Sequence, residues 1–236
     1  MPFENKVVVI TGADGNLGRA VAAAFARAGA SLVLVGLHQA KLAEAFGEAQ
    51  ANTRQLLVAA DLTRQDGAAD VAAQAVARFG RIDVLCNLAG GFRMGPPVHA
   101  TPAEDWDFLF SLNVRSALHM AQAIVPGMLA QGSGKIVNVG AFAAARGVAA
   151  MGAYTASKSA LARITEAMSG ELREQGINVN CVLPTIIDTP ENRAAMPDAD
   201  PARWVAPDDL AAAILFLASE QARAIHGASL PVTGLS

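Results

Sequence analysis

Short runs of apolar, often β-branched residues alternate along the chain with longer alanine-rich stretches of helical periodicity. Most of the short runs are hydrophobic throughout rather than alternately apolar and polar, which is typical of strands buried on both faces of a parallel sheet. The predicted strands are Lys6–Ile10, Leu32–Val35, Gln55–Ala59, Val84–Asn87, Lys135–Val139, Asn178–Leu183 and Ser229–Val232.

Amphipathic stretches between these runs predict helices, for example Leu17–Ala28, Gly67–Phe79, Trp106–Leu129 and Ala153–Glu174. Strands that alternate with helices imply right-handed crossovers and helices on both faces of the sheet. No repeat, low-complexity block or linker divides residues 1–236. The sequence therefore predicts a single α/β domain, a doubly wound parallel sheet of about seven strands.

Three irregular segments follow predicted strands, at residues 90–102, 140–153 and 184–207. Open parallel sheets bind ligands beyond the carboxyl ends of their strands. We therefore expect a small-molecule substrate to bind among these loops.

Composition narrows the class of protein. The 236 residues are 53% hydrophobic and carry a net charge of −3, which fits one large domain without a basic surface for nucleic acid or membrane. No run approaches the roughly 18–20 apolar residues of a membrane span, and no export signal is visible, so we expect a cytoplasmic protein. Cys86 and Cys181 lie in apolar runs and predict buried thiols, and no metal cluster is expected.

A glycine-rich segment, Thr11-Gly12-Ala13-Asp14-Gly15-Asn16-Leu17-Gly18, joins the first predicted strand to the first helix. Glycines allow a sharp turn and a close approach of backbone to a pyrophosphate, which the helix N-terminus then faces with free N–H groups. The strand–loop–helix setting favours a Rossmann-like dinucleotide site over an ordinary turn.

Tyr154 and Lys158 lie four residues apart at the start of a predicted helix and share one of its faces. A tyrosine ordinarily has a pKa of about 10, and a nearby ammonium lowers that pKa toward neutrality. The pair is therefore a candidate for general acid/base catalysis, although such spacing is also common by chance.

These motifs together resemble the short-chain dehydrogenase/reductase family along the whole chain. Besides the glycine loop and the Tyr154/Lys158 pair, the resemblance rests on Asn87-Leu88-Ala89-Gly90, on Asn113 and on Pro184 with Thr189. It implies an NAD(P)-dependent oxidoreductase whose cofactor supplies the hydride chemistry.

The resemblance also implies residue roles. Tyr154 is the expected acid/base, Lys158 binds the nicotinamide ribose and tunes Tyr154, and Asn113 holds a water linked to the lysine. The cofactor-binding residues expected are Gly12, Asp14, Gly15, Asn16, Leu17, Gly18, Asp61, Leu62, Asn87, Ala89, Gly90, Tyr154, Lys158, Pro184, Ile187 and Thr189. Asp61 serves equally well, on the sequence, as a helix N-cap.

Several positions depart from the family pattern. Asn16 stands where a glycine is usual, but asparagine tolerates positive φ better than most residues, so the turn stays feasible. Gly36 replaces the acidic residue that favours NAD(H), and no arginine for a 2′-phosphate follows it; because Asp14 repels such a phosphate, NAD(H) is slightly favoured over NADP(H). Ala141 replaces the serine expected thirteen residues before Tyr154, a loss worth on the order of 100–1000-fold in rate where an oxyanion develops.

One branch of the family looks closer. Residues 182–204 resemble the corresponding stretch of dihydropteridine reductases, which also carry alanine in place of the serine and reduce a conjugated C=N system. An ordinary alcohol/ketone dehydrogenase is the alternative. A non-catalytic nucleotide-binding sensor or assembly subunit is a third reading, opposed by the retained Tyr154 and Lys158.

The residues expected at the substrate are Ala141, Phe142, Phe92, Met151 and Trp204, with lid packing as their alternative role. Arg93 and Arg146 are read either as substrate-binding or as solvated loop charges. Analogy with the family predicts a homotetramer or homodimer.

Overall fold

The computed structural model describes residues 1–47 and 53–236. All strand pairs are parallel, and the seven strands form one sheet in the order β3-β2-β1-β4-β5-β6-β7. The strands are β1 Val7–Thr11, β2 Ser31–Gly36, β3 Gln55–Ala59, β4 Val84–Asn87, β5 Gly134–Val139, β6 Ile177–Pro184 and β7 Ser229–Val232. The predicted α/β class is confirmed, and each predicted strand agrees within one residue at either end.

Helices cover both faces of this sheet. They are α1 Asn16–Arg27, α2 Gln39–Phe46, α3 Gln65–Phe79, α4 Ala103–Phe110, α5 Ser116–Gln131, α6 Gly152–Leu172, α7 Pro190–Ala195 and α8 Pro207–Ala218. Helices α1 and α8 pack together on one face, and α3 packs with α5 on the other. No helix among the described residues is both long and apolar enough to cross a membrane.

The first strand shows why the apolar runs are continuous. Val8 and Ile10 of β1 join the core beneath α1 and α8, whereas Val7 and Val9 join the core beneath α3 and α5. Successive side chains of a strand point to opposite faces, so a strand covered on both faces needs apolar residues at every position. The buried cores thus hold the strands' carboxyl ends at one edge.

The predicted helix over Trp106–Leu129 is wrong as a single regular helix. The structure begins α4 at Ala103 and separates it from α5 by a π-helical segment, Ser111–Arg115. A π-helical turn inserts one residue and is frequent at functional sites. Here it carries the buried Asn113 toward the loop that follows β4.

Candidate active site

A cleft of about 1100 Å³ lies at the carboxyl edge of the sheet, where β1 and β4 are neighbours. The chain leaves β1 toward β2 and leaves β4 toward β5, so the loops after these two strands diverge and leave a crevice between them. The glycine loop lines one side of the cleft, and residues 88–90 line the other.

Two glycines of the loop are required by its geometry. Gly12 has φ +62°, in the left-handed region that favours glycine, and a Cβ there would meet the Ala89 backbone at 3.1 Å. A Cβ on Gly18 would lie 2.2 Å from the carbonyl oxygen of Gly12. The loop is therefore folded tightly against the start of α1, whose free N–H groups suit an anion.

The explanation of Asn16 by the tolerance of asparagine for positive φ is wrong, because Asn16 does not adopt a left-handed backbone. It is the first residue of α1, and Gly15 before it has φ −76° in the extended region. The Asn16 amide instead donates a 2.8 Å hydrogen bond to the carboxylate of Glu191. This bond joins the glycine loop to α7 across the mouth of the cleft.

The Thr11 hydroxyl joins the two loops that flank the crevice. It accepts hydrogen bonds from the backbone N–H groups of Leu88 and Ala89, each at 3.0 Å. Below them, the buried Asn87 amide donates to Asn138 on β5 at 2.9 Å. Residues 87–89 are thereby held against both neighbouring strands.

Two of the three candidate catalytic residues, Asn113 and Lys158, approach Gly90. A Cβ at this position would lie 3.0 Å from the Asn113 Oδ1 atom and 3.0 Å from the Lys158 Nζ atom. Because Gly90 lines the cleft, this close approach places the ammonium immediately behind the cleft wall. Any larger side chain at position 90 would displace it.

Asn113 pins the loop after β4. Its Oδ1 atom accepts from the Gly91 N–H at 2.8 Å, and its Nδ2 atom donates to the Gly91 carbonyl at 3.0 Å. The same Nδ2 atom donates to the Ser157 hydroxyl at 3.0 Å, and that hydroxyl donates to the Tyr154 carbonyl. The asparagine therefore positions both the loop and the helix that carries Tyr154.

Lys158 is buried, and its ammonium donates a 2.8 Å hydrogen bond to the Val139 carbonyl at the end of β5. Burial lowers the pKa of Lys158 to about 8, although neighbouring Cys181 acts in the opposite direction. The group is still mostly charged at neutral pH. Burial raises the pKa of Tyr154 to about 12, the reverse of the direction expected from the lysine alone.

The side chains expected around the substrate differ in their exposure to solvent. The Phe92 ring packs edge-on against the Tyr154 ring, with the centroids 4.9 Å apart, although Phe92 itself is exposed. Ala141 is buried, whereas Phe142, the next residue, begins a short 3-10 turn and is exposed. Met151 precedes α6, and its carbonyl accepts from the Thr155 N–H.

At the far end of the cleft, Asp14 and Gly36 lie in contact. A Cβ on Gly36 would stand 2.9 Å from the Asp14 Oδ1 atom. Asp61 lines the same region, where it accepts from both the N–H and the hydroxyl of Thr63. The cap of α3 is Arg64 rather than Asp61, so the helix N-cap alternative for Asp61 is wrong.

The segment after β6 borders the cleft on its third side. Pro184 ends the strand, and both Ile187 and Thr189 line the cleft, the latter also capping α7 by accepting from the Asn192 N–H at 3.2 Å. Trp204 is only 7% exposed, and its backbone lies against Gly234 of the C-terminal tail. Burial favours the packing alternative for Trp204 over substrate contact.

Some lining residues had no signal in the sequence. Phe108 and Leu112 line the cleft beside Gly91, where a Cβ would lie 3.3 Å and 2.9 Å from their side chains. Arg93 lies over the Phe108 ring and pairs with Asp105, so its charge is fixed within the loop. These contacts join residues far apart in the chain, which periodicity cannot show.

Comparison with known proteins shows sequence similarity along nearly the whole chain. A sequence profile described as short chain dehydrogenase matches residues 6–200. The 2-dehydro-3-deoxy-D-gluconate 5-dehydrogenase of Escherichia coli (strain K12) is 36% identical over 244 residues, covering 98% of this chain and 95% of that protein. The D-threitol dehydrogenase of Mycolicibacterium smegmatis (strain ATCC 700084 / mc(2)155) is 34% identical over 245 residues, covering 98% and 93%.

Among solved structures, the 3-ketoacyl-(acyl-carrier-protein) reductase from Brucella melitensis, complexed with NADH, superimposes with a TM-score of 0.88. It is 31% identical, and the match covers 98% of each chain. The likeness therefore extends to the complete sheet and its helices, not to one motif.

Lys158→Met is expected to raise the melting temperature near pH 7, because the fold then no longer buries an ammonium. The pKa falls from 10.5 to about 8 on folding, which costs on the order of 3 kcal/mol below about pH 8. Loss of the charge-assisted bond to Val139 offsets about 2 kcal/mol of this gain, which leaves a small net stabilisation.

That cost disappears as pH rises from the folded to the unfolded pKa, so the advantage of Lys158→Met should shrink toward about pH 10. Differential scanning calorimetry at several pH values measures it, with the exposed Lys41→Met as the matched control. A variant less stable than wild type near pH 7 would contradict the burial argument.

Proposed function

The chain belongs to the short-chain dehydrogenase family, and on that premise we propose that it is an NAD(H)-dependent dehydrogenase interconverting a secondary alcohol and a ketone, with Tyr154 as its acid/base. The relatives 2-dehydro-3-deoxy-D-gluconate 5-dehydrogenase and D-threitol dehydrogenase favour a hydroxylated substrate of this kind. The observation that carries the proposal is the convergence of Lys158 and Asn113 on Gly90, at the wall of the cleft.

The residues of the cleft fit a dinucleotide. The tight fold of the glycine loop at Gly12 and Gly18 leaves the N-terminus of α1 open to a pyrophosphate. Asp61, Ile187 and Thr189 all line the cleft, and we assign Asp61 to the adenine and the other two to the nicotinamide. When bound, the nicotinamide supplies or accepts the hydride.

Tyr154 and Lys158 divide the proton chemistry between them. In the direction of reduction, the Tyr154 hydroxyl donates its proton to the substrate oxygen and becomes a phenolate. We assign to the Lys158 ammonium the stabilisation of that negative charge, because burial disfavours the phenolate and raises the pKa of Tyr154. In the reverse direction the phenolate accepts the alcohol proton.

The geometry at Asp14 supports a preference for NAD(H). Its carboxylate lies 2.9 Å from the position of a Cβ on Gly36, so Asp14 occupies the place from which an acidic residue at position 36 would act. We assign it the role of accepting hydrogen bonds from the adenosine ribose and of repelling a 2′-phosphate. His38 and Lys41 line the same end and oppose this preference.

Ala141 favours a second candidate, reduction of a conjugated C=N compound such as a quinonoid dihydropterin. Neither Ala141 nor its neighbours Gly140 and Phe142 carries a side-chain hydrogen-bond donor for a substrate oxygen. Such a substrate needs a proton and a hydride more than it needs an oxyanion site. The cytoplasmic location and assembly into homodimers or homotetramers remain predictions of the sequence.

Tyr154→Phe should lower kcat by on the order of 100-fold or more while leaving the NADH dissociation constant within about twofold. The substituted ring keeps its contact with Phe92, so only the acidic hydroxyl is lost. Stopped-flow NADH oxidation measures kcat, and fluorescence titration measures binding. Turnover equal to wild type would refute the acid/base role.

Asp14→Asn should raise the ratio of kcat/KM for NADPH to that for NADH by about tenfold or more, because it removes a charge that repels the 2′-phosphate. Glu44→Gln is the matched control, since Glu44 is another carboxylate lining the cleft. An equal shift in the two variants would mean that general charge, not Asp14, sets the preference.

Ala141→Ser should raise the rate of ketone reduction more than the rate of quinonoid dihydropterin reduction, because only the former gains from an oxyanion donor. Parallel assays of both substrate classes with wild type and variant measure the two changes. If wild type reduces only the pterin, the second candidate stands; if it reduces only ketones, the first stands. An equal increase in rate for both substrate classes would mean that Ala141 does not determine which class is reduced.

A further inference from the structure

A second cleft, of about 270 Å³, lies at the amino-terminal edge of the sheet, at the opposite end of the strands from the dinucleotide cleft. Its floor is formed where β1, β4, β5 and β6 begin, and its rim by residues after α6 and α8. The charged side chains that line it are Lys6, Lys135, Arg173, Arg223, Asp83 and Glu220. None of them takes part in the proposed reaction.

One of the two carboxylates in this cleft is already neutralised. Asp83 accepts two bonds from the Arg81 guanidinium, at 2.7 and 3.0 Å, and one from Lys6 at 3.2 Å. The Val7 N–H also donates to it at 2.9 Å. The remaining charges are three cations, Lys135, Arg173 and Arg223, against Glu220 alone.

Lys135 is the most informative of these cations. It is only 9% exposed, and within residues 1–47 and 53–236 its ammonium makes one hydrogen bond, at 2.7 Å to the Asn178 Oδ1 atom. Glu220 forms an ion pair with the Lys135 ammonium at 3.8 Å, longer than an ordinary hydrogen bond, and the side chain of Glu220 is 78% exposed. One exposed carboxylate at this distance leaves N–H donors of a largely buried ammonium available to a second, closer anion.

The surroundings of Lys135 are held in place. The Asn178 amide donates to the carbonyls of Arg223 and Ile225, at 3.0 and 2.9 Å, which aims its oxygen at the lysine. The guanidinium groups of Arg173 and Arg223 make no hydrogen bond or ion pair with any residue in 1–47 or 53–236. Three cations therefore line one cleft, and each has N–H groups that donate no hydrogen bond to the residues the structure describes.

We propose that this cleft binds the phosphate group of a small phosphorylated compound or of inorganic phosphate, held by Lys135, Arg173 and Arg223. Arginine donors match phosphate oxygens in pairs, and a buried lysine supplies a localised charge. The volume admits a phosphate with a few further atoms but excludes a dinucleotide. The site is independent of the proposed oxidoreductase chemistry.

The test uses the full chain saturated with NADH, which occupies the other anion-binding cleft. Inorganic phosphate and glycerol 3-phosphate are titrated by calorimetry at constant ionic strength, with chloride as the reference salt. We expect saturable binding of at least one probe. Tighter binding of glycerol 3-phosphate identifies an organic phosphate as the ligand, and equal binding identifies the phosphate group alone.

The double variant Arg173→Gln/Arg223→Gln should raise the dissociation constant at least about tenfold, the loss expected when two charge-assisted partners are removed. Both arginines are exposed, so folding is retained. The control Arg64→Gln/Arg163→Gln removes the same charge from exposed positions outside the cleft and should bind like wild type. Lys135→Met should abolish binding.

Two results would overturn the proposal. One is the absence of saturable binding of either probe to the wild-type protein. The other is an equal loss of affinity in the Arg173/Arg223 variant and in its control. That result would mean that the net charge of the protein, and not this cleft, accounts for phosphate binding. Activity with NADH, measured on the same samples, keeps failure of this site distinct from failure of the oxidoreductase proposal.

Discussion

The arrangement of the candidate site depends on one constraint, the reversal of strand order in the sheet between the neighbouring strands β1 and β4. Crossovers between parallel strands are right-handed, so the chain that fills the sheet outward from β1 must return to its centre before filling the other half. The loops after the two central strands then diverge. The Thr11 hydroxyl holds them at a fixed separation, and the dinucleotide cleft lies between them.

The same cleft requires the fold to retain polar groups that oppose its stability. The Lys158 ammonium is buried against the Val139 carbonyl, and this burial disfavours its charged form and lowers its pKa. Asn113 and Ser157 are buried as well, but their hydrogen bonds are satisfied by each other, by Gly91 and by the Tyr154 carbonyl. The network therefore fixes the positions of the loop after β4 and of helix α6, while the charge of Lys158 stays without a carboxylate partner among the described residues.

The sequence predicts the sheet well because burial on both faces leaves continuous apolar runs, as in β4, whose bounds agree at both ends. It predicts the glycine loop and the Tyr154/Lys158 pair because each is local. It misses the π-helical segment at Ser111, since a single inserted residue hardly changes a 3.6-residue pattern. Contacts such as that of Asp14 with Gly36 join distant residues and need the folded chain.

The departures from the family pattern separate into two groups. At the cofactor end, Asn16 gains Glu191 as a partner across the cleft, and Gly36 leaves room for the Asp14 carboxylate. Each of these changes is matched by a contact within the chain. Ala141 has no such compensation, because a buried methyl group cannot donate a hydrogen bond to substrate. The departures at Asn16 and Gly36 are therefore compensated by contacts within the chain, whereas the loss of a side-chain hydrogen-bond donor at Ala141 is not, and its consequence falls on the class of substrate proposed above.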